Sequence, residues 1–205
     1  LMADLAGFFP NTPGFSAIDF TVNAPTLTTE TNSGKTRRVG YGHQFYSWKL
    51  SYPPLSQSQL APTAGFLAQT YGPLLSFEIV LPEISYTSLA GQTTQTITTS
   101  QTRAVGEKDV TIAGASGIEN ILAAGDFFKF SGHSKVYQCV ANCTSASDGT
   151  ATLYFAGGLT TALASAETLT ITQTPFTAVR ENDAHQVTVG LGGLSQLQID
   201  MRETW

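Results

Sequence analysis

The sequence predicts an all-β protein with one short helix, in which both chain ends build an outer β-domain and a second β-domain is inserted into one of its loops. Three observations predict it. Long period-two alternation occurs near both ends, with Tyr46, Trp48, Leu50 and Tyr52 on one face of a strand and Leu197, Ile199 and Met201 on one face of another. Between about residues 86 and 174 the texture changes to short aromatic and β-branched runs separated by glycine-rich turns, the pattern of a small barrel or sandwich. Charge is scarce as well: 12% of residues are Asp, Glu, Lys or Arg, against about 25% in typical domains, with Thr, Ser, Gln and Gly in their place. Such a surface suits a chain packed against other subunits. The expected division is 1–85 with 175–205 for the outer domain and 86–174 for the insert, joined at a Thr-rich stretch and at Pro175. With 205 residues the chain buries a substantial core, roughly 70% of its unfolded surface.

Taken in order, Phe8 to Gly14 reads as a turn-rich arm, and Ser16 to Val22 as a half-buried strand with Ile18, Phe20 and Val22 on one face. Residues 23 to 36, polar and rich in Thr, Asn and Gly, are expected to form a loop ending at Arg37 and Arg38. The clearest strand follows, through Tyr46 and Tyr52, and Pro53-Pro54 stops it because neither proline can donate to a ladder. Ser56 to Tyr71 is the helix, with Leu60, Phe66, Leu67 and Tyr71 at helical spacing, Pro62 inside and Gly72-Pro73 as the stop. Its place is over a sheet. Phe77, Ile79 and Leu81 make another strand, ending at Pro82.

Residues 86 to 104 open the insert around a weak strand at Thr96 to Thr99. Further strands are expected at Val110 to Ile112, Phe127 to Phe130, Val136 to Val140, Thr152 to Phe155 and Leu169 to Thr172. The densest signal is the hairpin in which Phe127, Phe128 and Phe130 are followed by the loop Ser131-Gly132-His133-Ser134 and then Val136, Tyr137 and Val140. Its phenylalanines belong to a core. Asp126, Lys129, His133 and Lys135 read as a small polar site or as a solvated face; the second reading is preferred, so Lys129, His133 and Lys135 should tolerate substitution. The tail resumes alternation with Val187 and Val189, a turn at Gly190-Leu191-Gly192-Gly193, and a last strand with Gln196, Gln198, Asp200 and Arg202 outward.

Chemistry-bearing constellations are missing. His43, His133 and His185 lie in different segments without Cys, Asp or Glu at ligand spacing. His185, Asp183 and a serine make a triad only on paper, since no G-x-S-x-G elbow is present. Glu78 and Glu83 straddle Pro82 and read as surface carboxylates rather than a glycosidase pair. The glycines at 190, 192 and 193 lie between strands and are hairpin glycines, not a dinucleotide motif. No residue is therefore assigned to catalysis, a cofactor or a metal, and the chain is expected not to be an enzyme.

Cys139 and Cys143 are the only cysteines; a local disulfide is geometrically conceivable at a strand end, but two reduced, partly buried thiols are expected. Arg37, Arg38 and His43 form the only basic cluster and are assigned to a subunit contact. A net charge of -5 with ten scattered Lys and Arg argues against a nucleic-acid grip. No apolar run reaches membrane-spanning length and the start lacks a signal-peptide pattern, so a soluble chain made in the cytoplasm is expected, with Leu1 before Met2 a start-site artefact.

The stretches GKTRRVGYGHQFYSWKLSYPPLS, QLAPTAGFLAQTYG and FEIVLP resemble the N-terminal half of distal tail proteins of long, non-contractile bacteriophage tails. LAAGDFFKFSGHSKVYQC and the ending LQIDMRETW are similar to those members that carry an inserted oligonucleotide/oligosaccharide-binding-like (OB-like) barrel. The resemblance implies a split β-sandwich ring-forming domain with an inserted OB-like β-barrel. It implies a ring, six-fold in this family, that joins the tail tube protein to the hub, tip or baseplate proteins, with tape measure and receptor-binding proteins as further neighbours. DNA would leave through the central channel without specific binding. It places the protein in the virion, at the tail tip, made in the cytoplasm of the bacterial host, with no membrane partner, cofactor or catalytic residue to carry over. The alternative is a carbohydrate-binding host-recognition module, with Phe127 or Tyr137 as the aromatic platform.

Overall fold

The computed structural model describes residues 5–40, 42–87, 95–118, 120–190 and 192–205. The two longest alternating runs lie side by side at the heart of the largest sheet. Strand β5 (Phe45–Ser51) and strand β15 (Ser195–Glu203) pair antiparallel, with Leu50 opposite Ile199 and Trp48 opposite Met201. Alternation sends Tyr46, Trp48, Leu50, Leu197, Ile199 and Met201 to one face, none more than 3% exposed. Gln196, Gln198 and Arg202 face solvent from the other side.

Around this pair the order is β1-β6-β13-β15-β5-β2, with β14 (Val187–Val189) on the first half of β15. Strand β2 (Ala17–Asn23) flanks β5 with Phe20 opposite Trp48, and β13 (Phe176–Arg180) links β15 to β6 (Ser76–Ile79). Strand β1 (Leu5–Phe8) runs parallel to β6 at the edge. Neither β1 nor β13 is among the strands expected from sequence. Both are short apolar segments beside a proline, and β13 is covered so fully that Phe176 and Ala178 are buried while Thr177 on the opposite face is buried too. A strand covered on both faces loses the alternation by which strands are recognised.

Helix α1 (Gln57–Gln69) starts at Ser56, whose backbone N–H donates to Gln59 Oε1 at 3.0 Å. It rests on the sheet through buried Leu67 and through Phe66, whose ring meets Phe9 at 5.4 Å and Phe77 at 5.5 Å edge to face. Tyr71 does not continue the buried stripe. The chain leaves the helix with left-handed backbone at Tyr71 and Gly72, which turns the Tyr71 ring outward to 74% exposure.

Residues 98–170 form two three-stranded sheets. One is β10-β9-β12, made of Val136–Gln138, Phe127–Phe130 and Leu169–Thr170; the other is β11-β8-β7, made of Ala151–Tyr154, Asp109–Ala113 and Thr98–Thr99. Single bridges Thr98 to Thr168 and Cys139 to Phe155 connect the two sheets at both edges. Their shared core includes Val110, Ile112, Phe128, Phe130, Leu153 and Phe155, a cluster separate from that under the large sheet. All-β with one helix is therefore the observed class. Residues 88–94 of the expected Thr-rich joint, Leu191 of the expected glycine turn, and Leu1-Met2 lie outside the described residues.

The expected loop at 23–36 is corrected. Strands β3 (Thr26–Glu30) and β4 (Thr36–Gly40) pair into a hairpin in which every strand residue is exposed. Thr31 to Lys35 closes it, with Gly34 at φ +77° and the Gly34 N–H donating to Thr31 O at 2.8 Å. Threonine and arginine occupy strand positions here without an apolar face, so hydrophobic alternation could not announce the hairpin.

Candidate functional site: the junction between the two cores

The β9–β10 hairpin belongs to both cores. Phe128, Phe130 and Tyr137 point into the cluster of residues 98–170, while Phe127 and Val136, on the other face, join the cluster under the large sheet. Phe127 meets Phe20 at 5.5 Å, Tyr46 at 5.3 Å and Phe176 at 5.6 Å, each edge to face. The expected role of its phenylalanines as core is met, but they serve two cores at once.

Beside this aromatic contact lie ion pairs between the two sets of strands. Lys135, 1% exposed, donates to Glu203 Oε2, and Glu203 is 2% exposed. The other carboxylate oxygen accepts the Val136 N–H at 2.8 Å. The Lys135 ammonium also lies 4.6 Å from the ring centres of both Tyr46 and Trp205. Burial pushes the Lys135 amine down and the Glu203 carboxyl up, and their mutual attraction opposes both shifts without cancelling them. Lys129, one strand away, donates to Glu78 at 2.9 Å and to Thr177 Oγ1 at 3.3 Å. Thr174 Oγ1 donates to Phe127 O at 3.2 Å, and His43 Nδ1 donates to Gly157 O at 3.2 Å.

The solvated-face reading of Asp126, Lys129, His133 and Lys135 is thus overturned, and no convergent polar site replaces it. Asp126 accepts the Ala123 N–H at 2.8 Å and shapes the turn before β9. His133, 5% exposed, contacts Tyr137 Oη through Nδ1 at 2.8 Å, and burial pushes its imidazole down. With the Thr160 N–H donating to the same phenol oxygen at 3.3 Å, the tyrosine proton is free to go to His133. Lys129 and Lys135 face the large sheet.

Glu203 was not singled out in the sequence, yet a signal for it was there. It continues the inward series Leu197, Ile199, Met201, so a carboxylate stands on an apolar face and requires a buried cation. Arg180 is similar: it is 3% exposed and its guanidinium donates to Leu67 O at 3.4 Å and Asp183 O at 3.3 Å.

Other candidates separate in space. Arg37 and Arg38 are exposed on successive positions of β4, hence on opposite faces of the hairpin, while His43 is turned toward Gly157. His185 Nδ1 lies 3.3 Å from the Arg180 guanidinium. Glu78 is bound to Lys129, and Glu83 is exposed on the turn after Pro82. Cys139 and Cys143 are free and buried, and burial pushes the Cys143 thiol up to about 11, far from a reactive thiolate. Phe127 and Tyr137 are buried, so neither is an exposed platform for a sugar ring. Among the described residues no three His, Cys, Asp or Glu side chains gather as metal ligands, and no helix is long and apolar enough to cross a membrane.

What the arrangement does chemically is hold two β-units together while leaving a basic hairpin free. No family model matches the chain. It is similar to the distal tail protein pb9 of Escherichia phage T5, 28% identical over 136 aligned residues that take in 61% of this chain and 60% of pb9. The chain thus spans about three-fifths of the length of that relative. The resemblance read in its sequence and this alignment agree in pointing to the distal tail proteins of bacteriophages.

Proposed function

We propose that the chain is a structural component of a phage tail tip, which assembles into a hexameric ring joining the tail tube to the hub, tip or baseplate and surrounding the DNA exit channel. The similarity to pb9, a distal tail protein, carries this reading. In it, residues 1–85 and 175–205 are the ring-forming β-sandwich and 86–174 an OB-like barrel inserted into it. The tail tube protein and hub or tip proteins lie above and below, with tape measure and receptor-binding proteins as further contacts.

The hairpin β3–β4 supports assembly. Two strands alone are marginally stable in water, and this pair presents Leu27 opposite Val39 at 58% and 63% exposure. A neighbouring subunit would bury that pair. The hairpin also holds three basic residues, Lys35, Arg37 and Arg38, against one acidic residue, Glu30, in a chain whose net charge is -5. Basic arm and acidic remainder attract one another between copies. The acidic balance also suits a channel through which DNA passes, because each Lys or Arg contact to phosphate would add affinity and slow transit.

Negative-stain microscopy with native mass spectrometry tests the proposal: six-fold rings are expected, and monomer at every concentration, with no joining to tube ends, would refute it. A ring with a continuous basic lumen would refute the channel assignment alone.

A further inference from the structure

The Lys135–Glu203 pair contributes little to stability for its chemistry, and its geometry suggests another role. Both ions are almost wholly removed from water, and such pairs are often replaceable by apolar side chains of similar volume without loss. The burial that drives Lys135 and Glu203 toward their neutral forms agrees. The edge-to-face contacts of Phe127 with Phe20, Tyr46 and Phe176 have preferred geometries, but each is weak, so they constrain the angle less sharply than a hydrogen-bonded charge does. A carboxylate is directional. Both Glu203 oxygens are engaged from the β10 side, one by the Lys135 ammonium and one by the Val136 N–H, and the ammonium is confined between the Tyr46 and Trp205 rings. Glu203 itself is fixed by β15, which is paired on both sides, with Ala178 opposite Glu203 on β13 and Ser47 opposite Arg202 on β5.

We infer that Lys135 and Glu203 form an orientation lock, which sets the angle at which the strands of residues 98–170 stand on the large sheet. Lys129 and Glu78 make a second, more open point of attachment next to it, since Lys129 is the cross-strand partner of Val136. The lock is a property of the single chain and does not depend on ring formation.

The test is the distribution of distances between nitroxide labels at Gln198→Cys, on the outward face of β15, and Thr152→Cys, on the outward face of β11, both exposed positions. The native thiols are buried, and protein without the added cysteines serves to show that they take no label. One narrow distance is expected for the otherwise unchanged chain; a broad distribution or two separate distances would overturn the lock at once. In the Lys135→Met/Glu203→Gln double variant the amide oxygen still accepts the Val136 N–H but the charges are gone. That variant should still fold, with its midpoint lowered only by the cost of the one buried amide NH2 left unpartnered, and with the distance distribution broadened about twofold. A distribution as narrow as that of the parent would overturn the inference. So would a double variant that does not fold, because the pair would then be a source of stability rather than of direction.

Discussion

Trp48 sits between two aromatic neighbours, stacked on Phe20 at 6.1 Å and edge-on to Phe176 at 5.4 Å, and is 3% exposed. Its truncation cannot be filled by small shifts, because Phe20 and Phe176 are themselves held by Tyr46 and Phe127. Trp48→Ala should therefore lower stability by about 3–5 kcal/mol, read by urea denaturation, and a loss under about 1 kcal/mol would mean the aromatic cluster repacks. Tyrosines supply the pH dependence. Burial pushes the Tyr52 phenol up to about 12 and raises those of Tyr46 and Tyr137 in the same direction. Between pH 10 and 12 the unfolded chain releases the Tyr52 proton and the folded chain keeps it. Stability is thus fully present below about pH 10 and falls by about 1.4 kcal/mol per pH unit above it for this residue. Denaturation midpoints measured from neutral pH upward should stay level and then drop, with a shallower drop in Tyr52→Phe; a flat profile to pH 12 would contradict the burial of these phenols. At this scale the sequence is read most easily where alternation is strict. Trp48 and its strand were evident, and Glu203 was detectable by the same rule applied one step further. Lys135 was not, because a lysine before a strand is ordinarily solvated, and only the position of a residue 68 places away shows otherwise.

Elements divide by how much of their environment is local. Strands β2, β5, β6 and β15 and helix α1 carry their own burial pattern and were legible. Strand β13 was not, since its neighbours on both faces come from distant segments, and the β3–β4 hairpin was not, since it has no buried face in the single chain. A hairpin whose strands are exposed throughout offers a clean separation of folding from assembly. Leu27→Asp/Val39→Asp should leave the thermal midpoint of the monomer within about 2 °C, because surface changes away from the core are usually within about 0.5 kcal/mol. The same variant should lose the ring in native mass spectrometry. Rings of undiminished yield would show that another surface makes the contact between copies. Arg37→Glu/Arg38→Glu should weaken assembly and do so most at low salt, where attraction between a basic arm and an acidic neighbour is least screened.

For the whole molecule, the question is whether two cores mean two folding units. Residues 98–170 have a buried cluster of their own, which argues for independence. Against it, Phe127 and Val136 lie in the other cluster, Lys135 and Glu203 would each be left a buried or newly hydrated charge, and Lys129, Thr174 and His43 make further cross-links. Exposing Phe127 and Val136 alone removes about 1.5–3 kcal/mol each, which is a large part of the net stability of an ordinary domain. The contact should therefore make unfolding a single transition. Trp48 lies in the cluster under the large sheet whereas the Trp205 ring touches Lys135, so in a Trp205→Phe background tryptophan fluorescence reports the large-sheet side while far-ultraviolet circular dichroism reports every strand. The two urea curves should coincide, and the calorimetric and van't Hoff enthalpies should agree. A dichroism change that precedes the fluorescence change would mean that residues 98–170 melt first on an intact large sheet. In that event residues 98–170 would be a tethered module rather than a fixed part of the molecule, and Lys135 and Glu203 could set no angle between the two sets of strands.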